Sequence, residues 1–431
     1  MILDHPLTVK DQSISQKYYT VFNVFNGFSY MCLGETVILL LAVRVGCPDS
    51  VIAVLGSMIY LGFLLLPLGK IMTARSGAAE SQANFWIFRN IAALLVASAA
   101  PVAFYFGIIP AALLLIIGAF LFYGFRAAGV VMAQPLVGEV CPESKQGSFM
   151  FRCWCCFYGS GLLALLLISG VLYWNSNIWV LASVIVAGAV LGLISSSLIR
   201  RIRETQTIML SAREPMFAAV YQACRNPDII RQMIAGMCCN TAAIMIVPIS
   251  MLTLKRGYGV SDSGALLYSL AQFAASTAIC AFLGKIADRF GGRMVTFGGF
   301  AGLCLIPVFW LAAPEKLYWF CFLLPFVLCP AGMVVTVVGL QQYFLRTVPK
   351  EQQIAASMVI SVATGVISGG LGSVLSTLLL KLAELFSGTS GEIITYRWYF
   401  GGVLLLMPVF FIFIRLLRKE ITVNRNNADN P

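Results

Sequence analysis

The sequence of 431 residues has little charge and almost no histidine. Only 11% of its residues are charged, and the single histidine is His5. Soluble globular proteins carry roughly a quarter charged residues. Here 59% of the residues are hydrophobic instead, which is more apolar surface than a water-soluble core of this length could bury. The composition therefore excludes an ordinary soluble protein and indicates that lipid covers the excess.

Groups that bind metals or nucleotides are also scarce. The thirteen cysteines lie mostly within apolar runs, where cysteine behaves as a small hydrophobe. No carboxylates accompany the cysteine pairs, so a zinc site is not expected. The absence of a P-loop excludes ATP-driven transport by this chain. The net charge of +11 is spread between apolar stretches and so does not indicate nucleic-acid binding. We expect no catalytic residues, no metal, no cofactor and no nucleic-acid partner.

Long apolar segments are what the sequence has instead. A membrane-spanning helix needs ~20 mostly apolar residues. Twelve such segments lie at 21–46, 49–68, 81–106, 109–139, 148–173, 178–199, 232–254, 263–284, 294–312, 318–344, 355–382 and 398–417. The one long break between them, 200–231, separates six segments from six. This pattern predicts an all-α membrane protein whose twelve transmembrane helices form two six-helix bundles, at 21–199 and 232–417, with polar tails at 1–20 and 418–431.

Basic residues set the expected orientation. With the amino terminus inside, 20 lysines and arginines fall on the cytoplasmic side and 6 on the outside. The positive-inside rule then predicts a multi-pass protein of the cell membrane with both termini in the cytoplasm. The cytoplasmic linker 200–231 includes an amphipathic helix at Met216–Cys224, which is typical of a surface helix at the membrane interface. A regulatory or lipid-binding role is the alternative.

A short repeat relates the two halves. Leu68-Gly69-Lys70-Ile71 recurs as Leu283-Gly284-Lys285-Ile286, each in the loop between the second and third helices of its half. Two similar halves indicate pseudo-symmetry and favour rocking about a site near the membrane midplane.

The second copy of the repeat begins a longer motif. The motif residues are Gly284, Asp288, Arg289, Gly291 and Arg293. This spacing resembles the cytoplasmic loop signature of the major facilitator superfamily. The resemblance implies a transporter fold and a gating role for these five residues. It also implies that the loop docks against the start of the fifth helix when the cytoplasmic side is closed. Arg152, one turn into that helix, is therefore a sixth predicted gating residue.

The first-half copy of this loop departs from the signature. Thr73 and Ala74 stand where the aspartate and arginine are usual. A second resemblance to the family runs through Glu139, Pro142 and Gly147, between the fourth and fifth helices.

Two opposite charges lie near the midplane of the first half. Glu35 is in the first predicted helix and Arg126 in the fourth, where Arg126-Ala127-Ala128-Gly129 partly resembles a motif of proton-coupled members. A charge at this depth costs at least ~3 kcal/mol on insertion scales and so usually faces a cavity or a partner. We predict that Glu35 and Arg126 couple transport to protons. A structural ion pair is the alternative.

Polar residues within the helices suggest a substrate pocket. We predict that its lining includes Asn26, Tyr30, Arg126, Asn240 and Gln272. The same residue types also form hydrogen bonds between helices, which is the alternative for each of them.

These features together favour a secondary active transporter that moves a small solute by alternating access and is coupled to protons. An uncoupled facilitator and a transporter-derived sensor are alternatives. An integral membrane transferase is disfavoured, because such chemistry commonly needs a histidine or a metal cluster. The expected partners are a small-molecule substrate, the lipid bilayer and protons, and the expected form is a monomer.

Overall fold

The computed structural model describes residues 2–175, 177–260, 262–388 and 392–419. Within these ranges nearly all residues are helical, and the two strands, β1 (Ile2–Leu3) and β2 (Glu204–Thr205), pair in parallel. The helices up to the end of the linker are α1 (Val9–Cys32), α2 (Glu35–Val45), α3 (Asp49–Leu61), α4 (Leu66–Ser76), α5 (Ala78–Ala97), α6 (Ala99–Phe106), α7 (Ile108–Val130), α8 (Ala133–Val140), α9 (Gln146–Trp174), α10 (Ile178–Arg200), α11 (Gln206–Ala212) and α12 (Met216–Arg225). Those that follow are α13 (Pro227–Leu252), α14 (Asp262–Ala312), α15 (Trp319–Thr347), α16 (Gln353–Val362), α17 (Ser368–Ser387) and α18 (Glu392–Arg415).

Eleven helical segments among the described residues are long and apolar enough to cross a membrane. One of them, Leu270–Ala312, contains two helices. They meet at Gly291, whose φ of 79° lies in a region that favours glycine and interrupts α14. Counting these two helices separately gives twelve spans in the described ranges, in agreement with the predicted fold class.

The first span differs from its predicted extent of 21–46. Its helix begins at Val9, because Thr8 and Asp11 form a reciprocal capping box at its amino end. Residues 9–20, assigned to a polar tail from the sequence, are therefore helical. The span is also interrupted after Cys32, and Glu35 begins a second helix, α2.

The described chain divides into two compact units. Unit 1 comprises the residues up to Cys141 together with Cys153–Val220 and Lys350–Met358. Unit 2 comprises Pro142–Arg152, Tyr221–Pro349 and the residues from Val359 onward. The units thus differ from the predicted bundles 21–199 and 232–417. Each takes in a short segment from the other half, and the linker 200–231 is shared between them.

Each unit has its own apolar core. In unit 1, Leu41, Val96 and Ile185 are completely buried. In unit 2, Trp310 stacks on Phe400 with ring centroids 5.6 Å apart. Many large apolar side chains remain exposed outside both cores, as expected for surfaces that face lipid.

Candidate functional site

A buried arginine organises the polar interior of unit 1. Arg89, on α5, is only 2% exposed. Its guanidinium donates to Asn26 Oδ1 at 3.3 Å, to Ser29 Oγ at 3.3 Å and to Asn90 Oδ1 at 3.4 Å. It also lies 4.8 Å from the ring centroid of Trp86. Neutral acceptors and an aromatic face thus surround a charge that would be costly without them.

Asn26 links this arginine to the predicted pocket. Its Oδ1 accepts a second hydrogen bond, from Trp86 Nε1 at 3.1 Å. Because both neighbours of that atom can only donate, the carbonyl end of the Asn26 side chain must face them. The amide nitrogen is therefore the free end of this partly exposed side chain.

Arg126 lies beside Tyr30. The guanidinium carbon is 4.9 Å from the Tyr30 ring centroid. Tyr30 in turn contacts Phe157 of α9, with centroids 5.5 Å apart. The structure thus brings Asn26, Tyr30 and Arg126 together in unit 1. Glu35, the predicted coupling partner of Arg126, begins α2, and its side chain lies outside the described residues.

The pocket residues predicted in the second half lie in unit 2. Asn240 donates from Nδ2 to the backbone oxygen of Thr364 at 2.8 Å. This hydrogen bond joins α13 to the π-helical segment Ala363–Ile367, which is the helix-to-helix role considered as the alternative. Gln272 is partly exposed on α14 and stays a predicted pocket residue.

The loop that contains the predicted gating residues contacts the start of α9 within unit 2. Both carboxylate oxygens of Asp288 lie 3.1 Å from the backbone nitrogen of Ser148, and the Ser148 hydroxyl donates to the same carboxylate. A carboxylate at a helix amino terminus is favoured by the free N–H groups and the helix dipole. The loop containing Gly147 and the loop containing Asp288, singled out separately in the sequence, thus form one contact.

Glycines make this contact possible. A Cβ on Gly147 would lie 2.8 Å from the Ala287 Cβ and 2.8 Å from Asp288 Oδ1, closer than real side chains approach. A Cβ on Gly284 would lie 3.1 Å from the Ser148 Cα. The motif glycines therefore allow the two loops to pack backbone to backbone.

The contacts described for the arginines of the motif are with other residues. Arg289 is exposed and its guanidinium carbon is 5.5 Å from the Phe290 ring centroid. Arg293 donates to the backbone oxygen of Arg415 at 3.5 Å. Arg152 is exposed one turn beyond Ser148, whereas the hydrogen bonds described for Asp288 go to Ser148.

The equivalent loop of the first half keeps the turn but loses the carboxylate. Gly77 has φ 83° and ψ 175°, close to the φ 79° and ψ 166° of Gly291. Thr73, at the aspartate position, is fully buried and donates to Gly69 O of its own helix. The two loops therefore share the backbone conformation of the glycine turn, but the first-half loop has no carboxylate at the position of Asp288.

An acidic residue of the linker, Glu204, binds to this loop of the first half. The two carboxylate oxygens of Glu204 accept from the backbone nitrogens of Ala78 and Ala79, each at 2.9 Å. Glu204 thus binds the amino end of α5. Farther along the linker, the backbone oxygen of Glu214 accepts from Lys70 Nζ at 2.9 Å.

Glu204 is expected to make the stability of the protein depend on pH. Burial raises the pKa of Glu204 to about 7 and outweighs the two backbone N–H groups, which lower it. A folded-state pKa above the unfolded value means that the folded protein binds more protons between the two. Stability should therefore fall as pH rises from about 4.5 to about 7, by up to about 3 kcal/mol. We expect the unfolding midpoint of the purified protein to decrease over this range.

Glu204→Gln should make the unfolding midpoint less dependent on pH, because glutamine does not titrate in this range. Glu80→Gln is the matched control, since Glu80 lies in the first turn of the same helix but is exposed. Thermal unfolding of all three proteins at pH 5, 6, 7 and 8 measures the effect. A slope in Glu204→Gln equal to that of the unsubstituted protein would assign the pH dependence to another group.

Sequence reasoning missed two residues of these sites. Arg89 was recognisable as a charge within an apolar segment, but nothing in the sequence distinguished it from a residue near a helix end. Glu204 lies in a polar linker, and the strand pairing of β2 with β1 that positions it is too short to leave a pattern.

Comparisons with known proteins agree with this architecture. The family model for the Major Facilitator Superfamily matches residues 23–373. No curated protein sequence matches the chain significantly. Among solved structures, a variant of the fucose:proton symporter of E. coli has a TM-score of 0.70 at 14% identity, covering 95% of this chain and 99% of that one.

Two other solved structures are similar in fold. A proton:xylose symporter bound to 6-bromo-6-deoxy-D-glucose has a TM-score of 0.68 at 13% identity, covering 95% of this chain and 97% of that one. A bacterial homologue of the iron transporter ferroportin has a TM-score of 0.71 at 12% identity, covering 96% and 100%. Identities this low establish the fold alone, whereas the family model covers most of the sequence. The chain therefore belongs to the major facilitator superfamily of membrane transporters.

Proposed function

We propose that this protein is a secondary active transporter that moves a small solute by alternating access and is coupled to protons. The observation that carries the proposal is the polar cluster of unit 1, where Asn26, Tyr30 and Arg126 remain partly exposed on membrane-spanning helices. Polar groups at membrane depth are costly and are typical of a solute or ion pathway. Similarity in fold to fucose:proton and xylose:proton symporters supports the choice of proton coupling.

Glu35 is the proposed proton-binding residue. It begins α2 after the interruption of the first span. Interrupted helices in transporters place free backbone groups near the site where solutes and coupling ions bind. We propose that Glu35 takes up the proton while Arg126 and its neighbours in unit 1 contact the solute. Asn240 and Gln272 of unit 2 stay predicted pocket residues.

Uptake into proteoliposomes tests the function. A thermal-shift screen of the purified protein against metabolites and drugs first identifies a solute. Its uptake is then measured with and without an imposed pH gradient. Accumulation against the solute's own gradient that collapses with a protonophore supports proton coupling. Uptake that only equilibrates, whatever the pH gradient, would instead indicate an uncoupled facilitator, and specific binding without uptake would indicate a sensor.

We also propose that the protein is a monomer of the cell membrane with both termini in the cytoplasm. The 20-to-6 distribution of basic residues supports this orientation. Reporter fusions after Ser211 and after Glu315 test it. The first is expected to report the cytoplasm and the second the outside, and the reverse for either one contradicts the topology.

A further inference from the structure

Two polar groups of the unit 1 cluster, the amide nitrogen of Asn26 and the guanidinium of Arg126, can only donate hydrogen bonds toward a ligand. The Asn26 carbonyl oxygen is occupied by Trp86 Nε1 and Arg89, which leaves its amide nitrogen for a ligand. A guanidinium has N–H donors and no acceptor, so Arg126 also presents donors only. A ligand that binds both of these groups must supply acceptors.

Two arginines are the charged residues that the structure describes in this cluster. Arg126 is partly exposed beside Tyr30, and the completely buried Arg89 lies behind Asn26. The ion pairs found among the described residues join Arg203 to Asp11 and Arg231 to Asp228, and so involve neither Arg89 nor Arg126. A buried Arg89 Nε also has no hydrogen-bond partner in the part of the chain that the structure describes. Among the described side chains, these two cations are contacted by neutral groups, and this arrangement favours binding of an anion.

An aromatic surface adjoins these donors. Tyr30 lies between Arg126 and Phe157, and Phe157 contacts Trp154 with centroids 5.6 Å apart. Trp154 and Tyr158 stack with centroids 5.5 Å apart. Trp154, Phe157 and Tyr158 are all partly exposed. Rings placed this way offer faces and edges to an apolar or planar ligand body.

We propose that this cluster binds an organic anion that has a carboxylate joined to an aromatic or similarly apolar body. The carboxylate accepts from the Arg126 guanidinium and from the amide nitrogen of Asn26. The apolar body lies on the Tyr30–Phe157–Trp154 surface. Arg89 is a positioning residue, because it and Trp86 fix the orientation of Asn26. This inference rests on the proposed transport function and names its substrate class.

Pairs of ligands that differ only in their charged group distinguish binding of the carboxylate from binding of the aromatic ring. The purified protein is heated with benzoate, phenylacetate or 3-phenylpropionate, with the matched neutral alcohols, and with acetate, at constant ionic strength and pH. We expect at least one aromatic carboxylate to raise the unfolding midpoint by about 2 °C or more near saturation. The alcohols and acetate should have much smaller effects at equal concentration.

Variants then locate the site. Arg126→Gln removes the charge, and Asn26→Asp keeps the acceptor for Arg89 and Trp86 while replacing the donor with a carboxylate oxygen. Both should abolish the shift caused by the carboxylate. Arg225→Gln, at an exposed arginine of α12, should retain it. Unfolding midpoints without ligand and size-exclusion profiles establish that each variant is folded; if Arg126→Gln is not, Asn26→Asp decides.

The outcomes are distinct. The proposal is overturned if none of the carboxylates stabilises the protein, if the alcohols stabilise it equally, or if the shift persists in the folded Arg126→Gln or Asn26→Asp variants. Binding is measured here without transport. A protein that binds these anions at this site but does not move them would therefore overturn the proposed transport and leave the binding site standing.

Discussion

Replacing Glu35 with glutamine is expected to abolish proton-linked transport while leaving the protein folded. Glutamine resembles the protonated carboxyl group in size and polarity but cannot release a proton. If Glu35 binds the coupling proton, the variant should stop accumulating solute against its gradient, a loss of more than tenfold. Exchange of solute across the membrane should persist, because it needs no change in protonation. The charge removed at membrane depth also lowers the insertion cost, so folding should not suffer.

Proteoliposomes that contain a pH-sensitive dye report the result. Addition of the identified solute should cause proton entry with the unsubstituted protein and none with Glu35→Gln, while counterflow of labelled solute remains measurable in both. Glu384→Gln, at an exposed acid near the end of α17, is the matched control. Proton entry at the normal rate in Glu35→Gln would remove this residue from the mechanism.

Replacing Asp288 is the second change with a large expected effect, on the balance between conformations. The carboxylate accepts from the backbone nitrogen and the hydroxyl of Ser148 at the start of α9. A contact of this kind is worth about 0.3–2 kcal/mol, which shifts a balanced two-state equilibrium several-fold. If the contact forms only when the cytoplasmic side is closed, Asp288→Asn and Asp288→Ala should enrich the inward-open state, with the alanine variant the stronger.

Gly147→Ala provides an independent way to break the same contact. The added methyl group would collide with Ala287 and Asp288 without removing a charge. It should therefore enrich the same state as Asp288→Ala. Accessibility of single cysteines from the cytoplasm, in a background without the thirteen native cysteines, measures the population. Lys285→Gln is the control, because Lys285 is exposed in the same motif.

If the contact acts as a gate, the variants at Asp288 and at Gly147 should change cytoplasmic accessibility in the same direction. Unchanged accessibility and transport in all three variants would reduce the Asp288 contact to a local loop interaction. A response to Gly147→Ala alone would mean that close packing of the two loops matters and that the carboxylate does not.

The sequence predicted the fold well because membrane-spanning helices leave a strong pattern. Twelve apolar segments predict twelve spans regardless of how they pack, since backbone groups in lipid must be satisfied within each helix. The helical start at Val9 was missed because a polar helix in water has no comparable hydrophobic pattern. Its signal is the Thr8–Asp11 capping box, which covers only four residues.

The candidate site was only partly predictable. Tyr30 and Arg126 were assigned to one predicted pocket because both are polar residues within apolar segments, and the structure places them in contact. The role of Arg89 depends on which way its side chain points, and that is set by Asn26 and Trp86 from other positions along the chain. The motif indicated that the Asp288 loop meets the start of the fifth helix, and the structure shows its contact with Ser148. In the first half, Thr73 stands at the aspartate position and Glu204 of the linker supplies the acid to that loop. This could not be predicted without knowing the path of the linker.

Residues 203–205 bind several separate elements of unit 1. The Arg203 guanidinium pairs with Asp11, the strand at 204–205 pairs with the first residues of the chain, and the Thr205 backbone nitrogen donates to Glu139 at 3.3 Å. A protein built from two similar halves has two loops of this kind but only one linker. The halves are therefore not interchangeable. A chain that kept every spanning helix but lacked residues 203–205 would leave the backbone nitrogens of Ala78 and Ala79 without the Glu204 carboxylate.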